Sequence, residues 1–226
     1  KSVFSMKKSE LEDMRGGKIA MVFQNPLTAL NPVFTVGEQI SVVSRLHKHM
    51  SKKEALTDAR LMLELVGIHG SRVKDYPNQF SGGMRQRVGI AAALISNPEV
   101  LIADEPTTAL DVTIQAQILE LMKKLRTEYS TATIMITHNL GIVAELCQKV
   151  AVMYGGRIIE YGTVKEVFSD PKHPYTQGLL GALPSTEGER KERLTAIPGL
   201  VANAQDLPSG CTFHPRCSHC RGNCKD

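Results

Sequence analysis

Two adjacent carboxylates form the part of this sequence best suited to chemistry. Asp104 and Glu105 directly follow the apolar run Val100–Ala103, which predicts that both side chains stand at the end of a buried strand. Adjacent carboxylates repel each other unless a cation or a polarised water lies between them. Asp104 therefore suits indirect binding of Mg²⁺, which keeps most of its waters, and Glu105 can accept a proton from an attacking water. A solvated Asp-Glu turn is the alternative explanation.

A serine followed by two glycines lies upstream of this strand, at the predicted start of a helix. Ser81 is expected to be the N-cap, where its hydroxyl accepts a backbone N–H. Gly82 and Gly83 have no Cβ atoms that would keep a phosphate away from the N–H groups of the first turn. An ordinary glycine turn would explain the triplet alone, but its position before the carboxylate pair favours nucleotide hydrolysis. The apolar face of the helix is predicted to contain Met84, Val88, Ala91, Ala92 and Ile95.

Three polar residues next to other predicted elements could complete such a site. Gln24 ends the apolar run that starts at Ile19, and its amide can bind Mg²⁺ and orient a water. His138 ends the run Ala132–Thr137 and can donate a hydrogen bond to a γ-phosphate. Asp111 begins a second amphipathic helix. Each residue has an ordinary structural explanation by itself, and the combination favours function.

These segments, in this order, resemble the sequence motifs of the ATP-binding-cassette (ABC) ATPases. The resemblance extends over essentially the whole chain. Phe80–Arg87 is similar to the signature motif of that family, with Phe80 and Met84 where many members have Leu and Gln. The other matches are Val22–Gln24 with the Q-loop, Val100–Glu105 with the Walker B strand and its catalytic glutamate, Ala109–Asp111 with the D-loop, and Ile134–His138 with the strand of the switch histidine.

The resemblance implies an α/β fold with a partial P-loop NTPase core of the ABC-ATPase type. An α-helical subdomain and a C-terminal extension of the peptide-importer type would be attached to this core. Residues 1–32 would contain a core strand and the Q-loop, and residues 33–96 the α-helical subdomain with the signature motif. Residues 97–167 would return to the ATPase core with Walker B, D-loop and switch histidine, and residues 168–226 would form the extension.

Local sequence signals predict the boundaries of several elements. Ser51 and Glu54 have the spacing of a capping box, and Gly67 is expected to end the helix that they begin. Gly155 and Gly156 separate two β-prone runs, which predicts a hairpin. The expected helices and hairpin strands are Val36–Lys48, Ser51–Gly67, Val150–Tyr154 and Arg157–Tyr161.

Residues 168–226 resemble the C-terminal extension of dipeptide and oligopeptide importer ATPases. Nickel-importing and glutathione-importing relatives share the same segments, so the resemblance leaves the transported solute open. A plain loop before a short helix would explain His173–Tyr175 alone but not the longer string. The matching segments are Gln24–Pro32, His173–Pro184, Ile197–Gly199 and Gly210–Cys217.

The extension contains four of the five cysteines, namely Cys211, Cys217, Cys220 and Cys224. Such clustering favours metal binding over disulfides in a cytosolic chain, although the spacing C-x5-C-x2-C-x3-C matches neither the usual zinc-finger spacing nor the bacterial ferredoxin run. The resemblance implies that Cys211, Cys217 and Cys224 ligate a [4Fe–4S] cluster, with the fourth ligand further downstream or replaced by Cys220. Free thiols and a zinc site are the alternatives. Cys147, in an apolar helical stretch, is expected in the core.

Composition indicates a globular protein without a membrane span. The chain has 226 residues, 42% of them hydrophobic, a net charge of +4 and no apolar run near the roughly 18 residues that a span needs. Basic residues cluster from Arg45 to Lys53 and are predicted to form a solvated helix face, with weak attraction to anionic lipid as the alternative. Aromatic residues make up only 5% and none interrupts the basic run, which disfavours nucleic-acid binding.

The resemblance implies the ATP-binding and ATP-hydrolysing subunit of an ABC importer for dipeptides or oligopeptides, with ATP and Mg²⁺ in its site. Two such subunits, identical or paralogous, would pair head to tail so that Ser81 meets ATP held by the partner. Two transmembrane permease subunits and, indirectly, an extracytoplasmic solute-binding protein would complete the transporter, with this subunit peripheral on the cytoplasmic face. The alternatives are a nickel or glutathione importer, a non-transport ABC ATPase, and a cysteine-cluster binding module with a vestigial ATPase.

One motif of the family does not occur in these 226 residues, namely the P-loop Gly-x-x-x-x-Gly-Lys-Ser/Thr. The resemblance places it upstream of Gln24, so the chain is expected to be an N-terminally truncated piece that lacks it. Because the P-loop makes most of the phosphate contacts, we expect the 226-residue chain alone to bind ATP weakly and to show no measurable hydrolysis. Mg²⁺-dependent phosphate release by this chain, abolished by Glu105→Gln, would contradict that expectation.

Overall fold

The computed structural model describes residues 2–108, 110–183, 196–203 and 205–226. The chain divides into two compact units, Lys1–His138 and Asn139–Asp226. Within the described ranges, no helix is long and apolar enough to cross a bilayer.

The first unit combines helices with a parallel sheet. Its elements are α1 (Lys8–Met14), β1 (Ile19–Val22), α2 (Pro26–Ala29), α3 (Val36–His47), α4 (Lys52–Leu65), α5 (Gly82–Leu94), β2 (Val100–Asp104), α6 (Val112–Tyr129) and β3 (Ala132–Ile136), with 3-10 turns at Val3–Ser5, Gly70–Lys74 and Pro77–Gln79. The three strands pair in the order β1-β2-β3. Ile19 pairs with Val100 and Val100 with Ala132, so the carboxyl ends of all three strands meet at one edge of the sheet.

Strands β1 and β2 confirm the buried strands predicted before Gln24 and Glu105. Helices α1 and α2 have no counterpart among the predicted elements. None of the seven residues of α1 is buried, and its sequence has no helical repeat of apolar residues from which the helix could be predicted. Only Glu10, Leu11 and Met14 are half-buried, and two apolar residues in one short helix give a weak hydrophobic pattern.

The core of the first unit lies between the sheet and the helices α3 to α6. Val88 of α5 is buried as predicted, but Ile90 and Ala93 are buried as well, while Ala92 is only half-buried. Helix α5 packs against α3, α4, α6 and β1, which covers more than one of its faces. The predicted apolar face packs into the core, and the structure buries additional residues on other faces of the same helix. Fully buried core side chains include Val36, Ile40, Leu63, Val66, Ile118 and Leu125.

Helix α4 begins with the predicted capping box. The Ser51 N–H donates to Glu54 Oε2 at 2.9 Å, and the Glu54 N–H donates to Ser51 Oγ at 3.4 Å. The helix ends at Leu65, and Gly67 adopts a left-handed φ of +78°. The predicted boundaries of this helix are confirmed at both ends.

The basic residues of Arg45–Lys53 do not form one helix face, so that prediction is wrong. Helix α3 ends at His47, and His49 has a left-handed φ of 54°. The Lys48 Nζ lies 2.9 Å from Asp58 Oδ2, which places part of this charge in an ion pair. Ser51, the N-cap of α4, has extended rather than helical backbone angles. The basic run is therefore divided between the end of α3, a short connection and the start of α4.

The second unit is built around a β-hairpin. Its elements are α7 (Leu140–Leu146), β4 (Lys149–Tyr154), β5 (Arg157–Thr163), α8 (Val164–Ser169) and α9 (Pro174–Gly181), with 3-10 turns at His214–Arg216 and Gly222–Cys224. Strands β4 and β5 pair antiparallel, which confirms the hairpin. Gly155 and Gly156 have φ values of 55° and 74°, as a type I′ turn requires. Cys147 is half-buried rather than in the core, because α7 ends at Leu146 and leaves it at the C-cap.

Aromatic side chains attach the C-terminal residues to the hairpin within the second unit. The Tyr154 ring lies 4.7 Å from the Tyr175 ring and 5.2 Å from the Phe213 ring, measured between centroids. Thr212 is buried beside them, and its hydroxyl donates to the Tyr154 carbonyl oxygen at 3.3 Å. Edge-to-face contacts of this kind stabilise a small core beyond the area that they bury.

Candidate functional site

Three of the predicted site residues come together where the strands of the first unit end. Gln24 follows β1, Glu105 follows β2, and His138 lies just beyond β3. The Gln24 Nε2 donates to Glu105 Oε2 at 2.8 Å, and His138 Nδ1 lies 2.8 Å from Glu105 Oε1. The His138 side chain is 74% exposed and that of Glu105 only 21%. The carboxylate is thus sheltered, while the imidazole is open to a ligand.

Hydrogen bonds hold the Glu105 carboxyl in its charged form. The contact with His138 has the largest effect in lowering the pKa of Glu105, followed by the bond from Thr108, and both outweigh the opposing effect of desolvation. A carboxylate offers only acceptors, so the proton in the contact with His138 sits on Nδ1. A charged Glu105 is able to take a proton from water at neutral pH.

Thr108 belongs to this cluster although the sequence does not single it out. Its Oγ1 donates to Glu105 Oε2 at 2.8 Å, and its N–H donates to the Glu105 carbonyl oxygen at 3.1 Å. Glu105 itself has a left-handed φ of 43°, and its N–H donates to the Ile136 carbonyl oxygen at 2.9 Å. Threonine is common in turns, so this sequence signal is too general to assign the residue to a site.

Asp104 ends β2 beside the cluster and pairs in register with Ile136 of β3. Carboxylate and amide oxygens are the protein ligands that Mg²⁺ accepts, usually one or two of them together with water and phosphate oxygens. Asp104 and Gln24 fit that donor set. No group of three His, Cys, Asp or Glu side chains in the described ranges could hold a metal ion by itself. Mg²⁺ at this edge would therefore take its remaining ligands from a nucleotide and from water.

The residues Ser81–Gly83, here called the signature turn, begin α5 as predicted. Ser81 is exposed and caps the helix, with its Oγ accepting the N–H of Met84 at 3.4 Å. A Cβ atom built on Gly83 would lie 2.5 Å from Ile114 Cγ2, so the turn packs closely against the first turn of α6. Only glycine allows that approach without a shift of either helix.

Asp111 caps α6, and its Oδ1 accepts the N–H of Ile114 at 2.9 Å. Its predicted place at a helix start is confirmed, and it shares the neighbourhood of Ile114 with the signature turn. Among the side chains that the structure describes, no hydrogen bond or ion pair joins Ser81 or Asp111 to Glu105. The chain thus presents two separate sets of candidate residues.

One arginine braces the segment before the signature turn. The Arg72 guanidinium lies 4.1 Å from the Phe80 ring centroid, and its Nη1 lies 3.6 Å from Met84 Sδ. Its Nε donates to Asp75 Oδ2 at 2.7 Å, and its Nη2 donates to the Gln79 carbonyl oxygen at 2.9 Å. Phe80 and Met84 are the two positions at which the segment departs from the usual signature residues. Their contact with the same guanidinium gives both departures a common structural role.

Two glycines of α5 provide a matched test of the packing at the signature turn. Gly83→Ala should lower the free energy of unfolding by about 1–3 kcal/mol, because the new Cβ collides with the branched Ile114 side chain. Gly89→Ala meets nothing within 4 Å and should raise it by about 0.5–1 kcal/mol through helix propensity. Urea unfolding of both variants measures the difference. Equal effects would contradict the close contact between α5 and α6.

The four cysteines of the extension are free, half-buried thiols. The Cys211 N–H donates to the Cys224 carbonyl oxygen at 3.0 Å, which closes the loop that also holds Cys217 and Cys220. Burial raises the pKa of the Cys220 thiol, and the neighbouring Cys224 adds to the rise. In the part of the chain that the structure describes, no three potential ligands are placed to hold a metal ion. The arrangement does not fit the expected [4Fe–4S] cluster, and we assign no chemistry to such a group.

Two protein-family profiles match parts of this chain. The profile described as ABC transporter matches residues 4–108. The profile described as the C-terminal region of oligopeptide/dipeptide transporters matches residues 159–224. The first match includes Gln24, the signature turn and Glu105, and the second includes the cysteine cluster.

Curated relatives match nearly the whole chain. The oligopeptide transport ATP-binding protein OppD of Salmonella typhimurium is 51% identical over 228 residues, which are 100% of this chain and 68% of that protein. OppD of Bacillus subtilis is 52% identical over 221 residues, covering 97% of this chain and 62% of the relative. A Brucella melitensis relative named for peptide import and ATP binding is 57% identical over 212 residues. This chain spans 63% of the length of that relative.

Solved structures with the same fold are ABC proteins. The dimeric post-hydrolysis structure of the ATP-binding cassette MJ0796, bound to ADP and Pi, matches with a TM-score of 0.63 and 30% identity, over 71% of this chain and 68% of that one. CbiO1 from Clostridium perfringens, part of the ABC transporter complex cbiONQ, matches with a TM-score of 0.59 and 32% identity, over 68% of this chain and 60% of that one. The chain therefore belongs to the ATP-binding-cassette transporter ATPases and has their α/β fold.

Proposed function

We propose that this protein is the ATP-hydrolysing subunit of an ABC importer for dipeptides or oligopeptides. The observation that carries the proposal is the Glu105 carboxylate, held between Gln24 and His138 at the carboxyl edge of a parallel sheet in a chain of the ABC family. A charged carboxylate in that position is suited to take a proton from water. The names of the relatives refer to oligopeptide transport, which supports the substrate class.

In the proposed reaction, water attacks the γ-phosphorus of ATP while Glu105 accepts a proton from it, and the bond from the γ-phosphorus to the bridging β,γ-oxygen breaks so that ADP and phosphate leave. Bound Mg²⁺, held by Asp104 and Gln24, would neutralise charge on the phosphate oxygens. The Gln24 amide also orients the water. The exposed His138 donates a hydrogen bond to a γ-phosphate oxygen, where it stabilises the charge that develops. In this proposal the N–H at His138 Nδ1, which contacts Glu105, turns to the phosphate when nucleotide is bound.

The exposed signature turn acts on a second nucleotide in this proposal. Its separation from Glu105 within the chain supports head-to-tail pairing with a second ABC ATPase subunit, identical or paralogous. The Ser81 hydroxyl and the N–H groups at Gly82 and Gly83 of one subunit then contact the γ-phosphate of the ATP that the other subunit binds. Asp111, at the start of the neighbouring helix, contacts the opposing subunit.

The two transmembrane permease subunits dock on the first unit of each ATPase at the cytoplasmic face of the membrane. A helix of each permease subunit enters the groove between the segment after Gln24 and the helical part of residues 33–96, and closure of the ATPase pair moves it. An extracytoplasmic solute-binding protein delivers the peptide from the other side. Nucleic acid has no place in this assembly.

Transport by the complete importer in vesicles tests the proposal. Uptake of a labelled dipeptide or oligopeptide should require MgATP and should stop with Glu105→Gln. Uptake of Ni²⁺ or glutathione without peptide uptake would instead assign the protein to one of those importer branches. ATP hydrolysis that nucleic acid stimulates, with no transport of any of these solutes, would identify a non-transport ABC ATPase.

An iron–sulfur cluster in the extension is proposed from the resemblance alone, and the geometry of the four thiols does not support it. Iron and acid-labile sulfide in the anaerobically purified full-length protein, both lost when Cys211 and Cys217 become serine, would establish it. Zinc without iron would favour a zinc site. If the purified protein contains neither iron nor zinc, the cysteines are free thiols.

A further inference from the structure

We propose that Thr108 is a positioning residue, which keeps the Glu105 carboxylate directed at the attacking water while its other partners turn to the nucleotide. The inference rests on the proposed function, since it presupposes that Glu105 accepts the proton. It adds a residue that lies between the sequence segments similar to Walker B and the D-loop and is not among the predicted site residues.

Three side chains hold the Glu105 carboxylate. His138 Nδ1 contacts Oε1, and both Gln24 Nε2 and Thr108 Oγ1 donate to Oε2, with every distance 2.8 Å. In the proposed reaction, His138 turns from Glu105 to the γ-phosphate. The Gln24 amide binds Mg²⁺ through its oxygen, and its N–H groups are shared between Glu105 and the attacking water. Thr108 has no such second task in the reaction. It is therefore the partner that stays on the carboxylate when nucleotide is bound.

The backbone ties Thr108 to Glu105 independently of the other strands. The Thr108 N–H donates to the Glu105 carbonyl oxygen at 3.1 Å, which closes the turn around Pro106 and Thr107. The φ of 43° at Glu105 is a left-handed value that non-glycine residues seldom adopt, and it persists only where surrounding bonds over-determine it. Because donor and acceptor share this turn, their distance does not depend on movements of the segments after β1 and β3.

A hydroxyl that donates to a carboxylate stabilises its charged form. After the His138 contact, the Thr108 bond is the next cause of the lowered pKa of Glu105. Loss of the hydroxyl would remove the donor that keeps the Glu105 carboxylate in place while Gln24 and His138 act on the nucleotide.

The test compares Thr108→Val with Thr108→Ser in the full-length protein within its transporter, at saturating MgATP. Valine has nearly the shape of threonine without the hydroxyl, so we expect kcat to fall about tenfold with KM nearly unchanged. Serine keeps the donor and should keep kcat within about twofold of the wild type. A wild-type kcat in Thr108→Val would overturn the proposal.

Thr127→Val is the matched control for the same chemical change. Thr127 is exposed on the last turns of α6, where its hydroxyl donates to the Lys123 carbonyl oxygen at 3.2 Å. This variant should keep the wild-type kcat and KM. Thermal melting of every variant gives the folded fraction, to which each rate is normalised. An equal loss of normalised rate in Thr127→Val would overturn the proposal, because the loss would not depend on contact with Glu105.

A double variant separates the role of Thr108 from the proposed function itself. If Thr108 acts through Glu105, adding Thr108→Val to Glu105→Gln should not lower the residual rate further. A further, additive loss would overturn the positioning role. Wild-type hydrolysis by Glu105→Gln would defeat the proposed function and this inference together. An inactive Glu105→Gln beside a fully active Thr108→Val would overturn the inference alone.

Discussion

Glu105→Gln is expected to lower kcat for ATP hydrolysis at least about a hundredfold in the full-length protein, with ATP binding retained. Glutamine has almost the shape of glutamate and can still accept the hydrogen bond from Thr108 through its single oxygen, but its amide nitrogen cannot accept the one from His138 and the amide cannot take a proton from water. The wild-type carboxylate is charged at neutral pH, and the His138 contact, which lowers its pKa, favours that form further. Multiple-turnover phosphate release measures kcat, and equilibrium binding of labelled ATP shows whether the nucleotide site is intact. The ATP-bound pair of subunits should accumulate in its closed form.

Glu99→Gln is the matched control for this substitution. Glu99 is an exposed carboxylate just before β2 that lies 3.7 Å from Lys18 Nζ, and it has no contact with the cluster around Glu105. Exposed ion pairs of this kind contribute little to stability, so this variant should hydrolyse ATP at the wild-type rate. Near wild-type hydrolysis by Glu105→Gln would remove the proton-acceptor role from Glu105.

Ser81→Arg should lower ATP turnover by about a hundredfold and abolish ATP-dependent pairing of the subunits. The side chain of Ser81 is small and exposed at the start of α5, where the proposed partner nucleotide must approach. Arginine places a long cation in that space and removes the hydroxyl that would contact phosphate. Sedimentation of the Ser81→Arg and Glu105→Gln double variant with ATP measures pairing without the complication of hydrolysis.

Two control variants separate blocked closure from the loss of a helix cap. Ser51→Arg makes the same change at the N-cap of α4, where it should cost about 1 kcal/mol of stability without affecting pairing. Ser81→Ala removes the hydroxyl but adds no bulk, so it should weaken turnover less than Ser81→Arg does. Equal loss of pairing in Ser51→Arg and Ser81→Arg would show that helix stability, and not access to the nucleotide, is the cause.

Local signals in the sequence determined many elements of this protein. The capping box of Ser51 and Glu54 and the Gly155-Gly156 turn concern contacts between residues a few positions apart, so they act in the same way wherever the segment lies. The same holds for Ser81 and Asp111 as helix caps. The order of the motifs was also sufficient to indicate the family, since each motif is a short contiguous segment.

Predictions that depend on what surrounds a segment were less successful. The buried faces of α5 depend on the elements that pack around it, and the basic run of Arg45–Lys53 is divided by a cap that belongs to the next helix. The arrangement of the four cysteines depends on the path of a loop that has little regular structure. Periodicity and spacing contain no information about these neighbours.

The meeting of Gln24, Glu105 and His138 was decided only by the tertiary structure. The sequence places each residue after a strand, but the strand order β1-β2-β3 and the parallel pairing bring the three strand ends to one edge. Thr108 contacts the Glu105 carboxylate next to a left-handed backbone conformation at Glu105. The residue types in this segment do not predict that conformation. Contacts between distant residues arise from the packing of the whole core, and that is why the sequence alone could name the chemical groups but not the contacts among them.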